Sequence, residues 1–178
     1  MNSVDLEFRR ATQADAQTIV DLVNSGYRGD SSRAGWTTEA DYLVGKRTDV
    51  EEVLQLIADD NTVLLLCLRQ GEIVGSVQLQ RTDATAYLGM FVVKPTLQGQ
   101  GIGKHFMQAA EALVLREWSI RKIQMTVITL RRELIAYYER RGYARTGMRK
   151  PFPVDDPRSA LVGPELEFEV LEKSLGDN

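Results

Sequence analysis

The chain of 178 residues holds one cysteine, Cys67, and one histidine, His105. An intramolecular disulfide is therefore excluded, and so is a cysteine-rich metal cluster. Cys67 lies inside the apolar run Val63-Leu64-Leu65-Leu66-Cys67-Leu68, where a small core residue is expected rather than a nucleophile. No apolar stretch approaches the roughly 20 residues that span a bilayer. The first residues, Met1-Asn2-Ser3-Val4-Asp5, lack the basic and apolar regions of a secretion signal, so the cytoplasm is the expected location. Excess positive charge is also missing. A formal net charge of -3 argues against general affinity for nucleic acid or an anionic membrane. No repeat, low-complexity block or long linker interrupts residues 1–178, which read as one domain. With 43% apolar and 26% charged residues, the composition is that of an ordinary globular chain.

What is present alternates between strand and helix. Residues 6–11 alternate apolar with polar and predict a first strand. Thr12 is placed to cap a helix starting near Ala14, with Asp15 in its first turn, and Gly26 and Gly29 break the pattern. Thr37-Thr38-Glu39 could open a short helix. Thr48 and Glu51 have capping-box spacing ahead of Val53, Leu54 and Ile57. Residues 62–69, 73–80 and 85–93 predict three strands, the first two joined by a turn at Gln70-Gly71-Glu72. Pro95 ends the third. A helix over about 101–118, a strand over 122–127 and a helix over 133–141 follow, with Gly142 as a left-handed end residue. Strands over 143–146 and 166–171 complete an expected α/β fold of about seven strands. Its sheet mixes parallel and antiparallel strands and is flanked by helices.

The most informative segment is Val93-Lys94-Pro95-Thr96-Leu97-Gln98-Gly99-Gln100-Gly101-Ile102-Gly103-Lys104. A strand enters a glycine-rich turn that opens an amphipathic helix. Glycines let backbone N–H groups converge, and the helix start adds unsatisfied donors and a partial positive charge. The result is a pocket for phosphate or pyrophosphate. A Walker A loop fails twice, because Gln98 stands where its first glycine belongs and His105 where it needs Ser or Thr. A dinucleotide fingerprint fails at Lys104, which occupies the place of the third glycine.

Gln98-Gly99-Gln100-Gly101-Ile102-Gly103, after Val93-Lys94-Pro95, resembles the Gln/Arg-x-x-Gly-x-Gly/Ala motif of the GNAT superfamily of N-acetyltransferases. Leu134-Ile135-Ala136-Tyr137-Tyr138-Glu139-Arg140-Arg141-Gly142-Tyr143 resembles that family's second motif. The resemblance implies a GNAT-like fold and acetyl transfer from acetyl-CoA to a primary amine in a ternary complex, without a metal. It implies that amides of Gln98, Gly99, Gln100, Gly101, Ile102, Gly103 and Lys104 hold the CoA pyrophosphate. A backbone N–H from Met90, Phe91, Val92 or Val93 would face the developing oxyanion. Tyr138 occupies the place of the tyrosine that protonates the departing thiolate. A phenol, with a reference pKa of about 10, suits that task.

Two departures stand out. Arg131 stands where the family often has an asparagine that holds the CoA arm, so Arg131 or Arg132 would replace it. No carboxylate occupies the strand before the turn, where Tyr87, Gly89 and Met90 stand, and the general base is left open between Asp83, Glu39 and a water chain. The family resemblance places the acceptor near Tyr27, Arg28, Arg33, Trp36 and Tyr87. Arg28 and Arg33 would suit a small amine bearing an anionic group, with Trp36 as an apolar wall. Alternatively Trp36 plugs the core and the arginines are surface charges. The stretch 150–164 would cover the acceptor cleft or join two copies of the chain. Two other readings stay open: a non-catalytic acyl-CoA binding module, and an acetyltransferase acting on a protein or peptide amine.

Overall fold

The computed structural model describes residues 5–27, 43–152, 159–161 and 166–176. Seven strands form one sheet: β1 (Leu6–Arg10), β3 (Thr62–Arg69), β4 (Glu72–Arg81), β5 (Ala86–Val93), β6 (Lys122–Ile128), β7 (Ala144–Pro151) and β9 (Glu167–Ser174). Their spatial order is β1-β3-β4-β5-β6-β9-β7, and β5 with β6 is the parallel pair. Two three-residue strands, β2 (Leu43–Gly45) and β8 (Ser159–Leu161), pair separately. Among the described residues the helices are α1 (Ala16–Tyr27), α2 (Val50–Ala58), α3 (Ile102–Trp118) and α4 (Arg132–Arg140). No helix among the described residues is long and apolar enough to cross a membrane.

The apolar run of β3 is explained by its position. Leu64, Leu66 and Leu68 pack against α1 and α2, while Val63, Leu65 and Cys67 pack under α3. A strand covered on both faces carries no alternating pattern. Phe106 of α3 is fully buried between Phe8 and Phe91, with ring centroids at 5.9 and 5.5 Å. Burying such a ring contributes about 2–3 kcal/mol. Gly75 makes this contact available, because a Cβ there would lie 2.6 Å from the Phe106 ring.

Several expectations are corrected at element ends. Gly26 does not break the first helix, which runs to Tyr27. Instead it lets α1 settle on β5, since a Cβ at Gly26 would lie 2.2 Å from the Val92 side chain. The cap of α2 is Asp49 rather than Thr48, because the Asp49 side chain accepts from the Glu52 N–H at 2.8 Å. Thr48 donates instead to the Glu52 carboxylate, at 2.5 Å. A 3-10 turn at Gln13–Asp15 precedes α1, and Asp15 accepts from the Thr12 N–H at 2.8 Å. The last two long strands extend beyond residues 146 and 171, and β8 lies inside the stretch read as a connection. The short helix expected at Thr37 lies outside the described residues.

Two features of β5 create the site. Its pairing with β6 is limited to Ala86 with Ile123 and Tyr87 with Gln124, after which the strands part. Its register with β4 shifts between Gln78–Gly89 and Ser76–Val92, leaving Met90 and Phe91 opposite Val77. Met90, at this bulge, has a φ of +46°, a left-handed conformation uncommon for a residue with a side chain. The bulge reverses the facing of the strand. Ala86 and Leu88 face the α3 side before it, and Phe91 and Val93 do so after it.

Candidate active site

A cleft of about 370 Å³ opens where β5 and β6 diverge. Its floor is Phe91, Val92 and Val93, and Gly26 and Tyr27 of α1 close one end. On one wall stand Gln98, Gly99, Gly101, Gly103 and Lys104. The opposite wall is Arg131 with Leu134, Tyr137, Tyr138 and Arg141 of the α4 region, one helical face at spacings of three and four. Arg140 joins the rim, and among the described residues no lining side chain is acidic.

The glycine turn is shaped by backbone conformation. Gly99 and Gly101 have φ of +83° and +82°, and a Cβ on either would meet nothing within 4 Å, so conformation rather than space demands glycine. Gly101 is the residue before α3. His105 N–H donates to the Gly101 carbonyl, but no acceptor among the described residues takes the amides of residues 99–104. Unsatisfied donors at the start of a 17-residue helix form an anion site. The Nε of Arg141 is also buried without a hydrogen-bond partner, and its guanidinium lies 4.7 Å over the Tyr137 ring. Lys104, Arg131, Arg140 and Arg141 supply cations around the same space. These donors suit a phosphate or diphosphate group.

The edge of β5 beyond Tyr87 faces this cleft. The Tyr27 hydroxyl donates to the Phe91 carbonyl at 2.8 Å, and the Gln98 amide to the Val93 carbonyl at 3.0 Å. Lys94 N–H turns the other way, to Val74. The N–H and C=O of one strand residue project from the same edge, so the Phe91 and Val93 N–H groups also point toward β6.

Tyr138 is buried, 5% exposed, and held edge-on between Tyr137 and Tyr143 at centroid distances of 5.5 and 6.1 Å. Its helix ends in a Schellman turn: Tyr143 N–H donates to the Tyr138 carbonyl, Gly142 N–H to Glu139, and Gly142 has φ of +97°.

The remaining sequence candidates are placed otherwise. The Met90 side chain packs on the α1 face, and Ile102 anchors α3 in the core. Gln100 is exposed and accepts from Arg69 at 3.1 Å. The Tyr87 hydroxyl pairs with Thr126 at 3.0 Å, bridging β5 and β6 just past their last paired position. Tyr27 lines the cleft, with its hydroxyl committed to Phe91. Arg28, Arg33, Trp36 and Glu39 lie outside the described residues. Asp83 is exposed before β5, and roughly 17 Å of strand separates Ala86 from Phe91. Leu134, Tyr137, Arg140 and Arg141 were not anticipated as cleft residues. Helical spacing from Tyr138 marks Leu134 and Arg141.

Residues 20–143 match the sequence profile of the Acetyltransferase (GNAT) family. No curated protein sequence matches the chain. The fold matches a spermidine N-acetyltransferase from Vibrio cholerae in complex with CoA and spermine at a TM-score of 0.69 and 16% identity, covering 97% of this chain and 96% of that one. The ribosomal-protein-S18-alanine N-acetyltransferase from Escherichia coli matches at 0.71 and 11% identity, covering 97% and 96%. A GNAT-family acetyltransferase from Streptococcus pneumoniae matches at 0.66 and 16% identity, covering 96% and 100%. At these identities the likeness is one of fold.

Proposed function

The chain belongs to the GNAT acetyltransferase family, and we propose that it transfers the acetyl group of acetyl-CoA directly to the primary amine of a small molecule. The observation that carries this reading is the cleft itself. One space, at the open end of the β5–β6 split, joins the glycine turn, a run of cations and the helix bearing Tyr138.

In this reading the amides of residues 99–104, with Lys104, Arg131, Arg140 and Arg141, hold the donor's diphosphate. The acetyl group then lies along the free edge of β5. There the N–H of Phe91 or Val93 stabilises negative charge as the thioester carbonyl is attacked. The acceptor enters as a neutral amine. When the C–S bond breaks, the Tyr138 hydroxyl gives its proton to the departing sulfur. The attacking nitrogen forms the new C–N bond and loses its proton to a base or water on the acceptor side. Asp83 is too far along β5 to serve.

The structural neighbours named above act on a polyamine in one case and a ribosomal-protein alanine in another, so the acceptor is to be found by assay. Purified protein with acetyl-CoA is offered amino acids, polyamines, aminoglycosides and peptides while released thiol is followed. Release with a small amine supports the proposal, release only with peptides moves the acceptor to proteins, and no release with any amine defeats transfer. Calorimetry with CoA tests the donor half alone, and absence of binding defeats it.

A further inference from the structure

The two helices that wall the cleft meet the last strand at one ammonium group. Lys173, on β9, donates to both carboxylate oxygens of Glu111, on α3, at 3.0 and 2.8 Å. Its third N–H goes to the Arg141 carbonyl at 2.8 Å. An ammonium has three donors, and all three are used. Glu111 is buried and also accepts from the Tyr143 hydroxyl at 3.3 Å. Burial and the neighbouring carboxylate push the Tyr143 hydroxyl well above the usual phenol range, so it stays a donor. The Tyr143 hydroxyl thus has a partner on the helix: Glu111.

Arg141 connects this cluster to the cleft. Its carbonyl is held by Lys173, while its guanidinium lies on the Tyr137 ring, lines the cleft and keeps a buried Nε without a partner. Gly142 lets the lysine pass, because a Cβ there would sit 3.1 Å from the Lys173 Cε. Lys173 is partly exposed, and an ion pair that solvent reaches contributes little to stability. Stability alone therefore gives weak grounds for the pair, whereas its third bond reaches the residue that carries the cleft's arginine.

We propose that Lys173 is a positioning residue for donor binding: paired with Glu111, it pins the Arg141 backbone and so holds the Arg141 guanidinium against Tyr137, facing the donor's phosphate groups. The proposal rests on reading the cleft as the CoA site.

The test is calorimetry with CoA, alongside melting curves, on the full chain. Lys173→Met weakens CoA binding about tenfold, the size of one charge-assisted contact. Glu111→Gln/Lys173→Met regains melting temperature by removing the stranded charge while keeping an acceptor for the Tyr143 hydroxyl, yet binds CoA as weakly as the single variant. In an Arg141→Gln background, Lys173→Met adds no further loss, because the two act through one contact. If Lys173→Met fails to fold, the double variant carries the measurement. CoA binding by that double variant within twofold of the unsubstituted chain, or additive losses with Arg141→Gln, overturns the positioning role while leaving the donor site intact. Absence of CoA binding by the unsubstituted chain overturns the donor reading and this proposal with it.

Discussion

The Tyr137 hydroxyl stands 2.7 Å from the point where a Cβ on Gly103 would begin, so the two walls of the cleft touch through a missing side chain. Gly103 lies in the first turn of α3, and Tyr137 faces it from α4. Gly103 is not among the positive-φ glycines, so its backbone tolerates alanine.

Gly103→Ala therefore separates stability from binding. Alanine in a helix favours folding by up to about 1 kcal/mol over glycine. The new methyl, however, displaces Tyr137 and the Arg141 guanidinium that rests on it. The expected outcome is an unchanged or raised melting temperature with a KM for acetyl-CoA about tenfold higher. Adding Tyr137→Phe removes the clashing oxygen and recovers most of the affinity. Lack of recovery in that double variant would show that the methyl acts elsewhere.

A second prediction concerns pH. The Asp15 carboxyl is held down at about 2, first by the hydrogen bond from Arg9, with the Thr12 N–H assisting against partial burial. An unfolded aspartate titrates near 3.9. Because the folded value is lower, the stabilisation is complete above about pH 4 and is lost as pH falls toward about 2. Arg9 is 44% exposed, so solvent screening keeps the ion-pair part small. Asp15→Asn is expected to cost up to about 1 kcal/mol at neutral pH, through the lost pairing with Arg9 and the lost negative charge at the helix start. Melting curves from pH 7 to 2 should show the gap between variant and parent closing at the acid end; a constant gap would remove Asp15 from acid sensitivity.

Cys67 governs how the assay can be read. It is fully buried in β3, and burial pushes its thiol up to about 11. A buried protonated thiol does not attack disulfide reagents. The native protein should give no colour with a disulfide reagent over an assay, and one thiol per chain after denaturation. Released CoA can then be followed against a blank baseline. Rapid native reaction would mean that β3 opens locally.

The contrast between the legible and the illegible parts follows from interaction range. The glycine turn, the helix after it and Gly142 depend on local conformation, and local sequence carries that. The partition of β3 between two helical layers was visible only as an unbroken apolar run. The cap at Asp49 was missed by one residue because Thr48 has equal local chemistry and is drawn to the Glu52 side chain instead. The β2–β8 pair and the Lys173–Glu111–Arg141 cluster join residues far apart in sequence, and no local pattern announces such contacts. Gly26 was misjudged for the same reason, since its partner is Val92 across the fold.

Tyr138 offers the sharpest division between binding and chemistry. It is buried beside Tyr137 and Tyr143, and in the proposed reaction its hydroxyl serves the departing sulfur rather than the diphosphate. Removing its hydroxyl leaves the ring, and with it the packing of α4. Tyr138→Phe should therefore keep CoA affinity within about twofold and the melting temperature near that of the parent. Turnover should fall about a hundredfold, the usual effect of deleting a positioned acid. The loss should shrink with an acetyl thioester whose thiol is more acidic, because a better leaving group needs no proton from the enzyme. Equal losses with both thioesters would place the tyrosine among the packing residues, and the proton donor would then have to be sought elsewhere along the cleft.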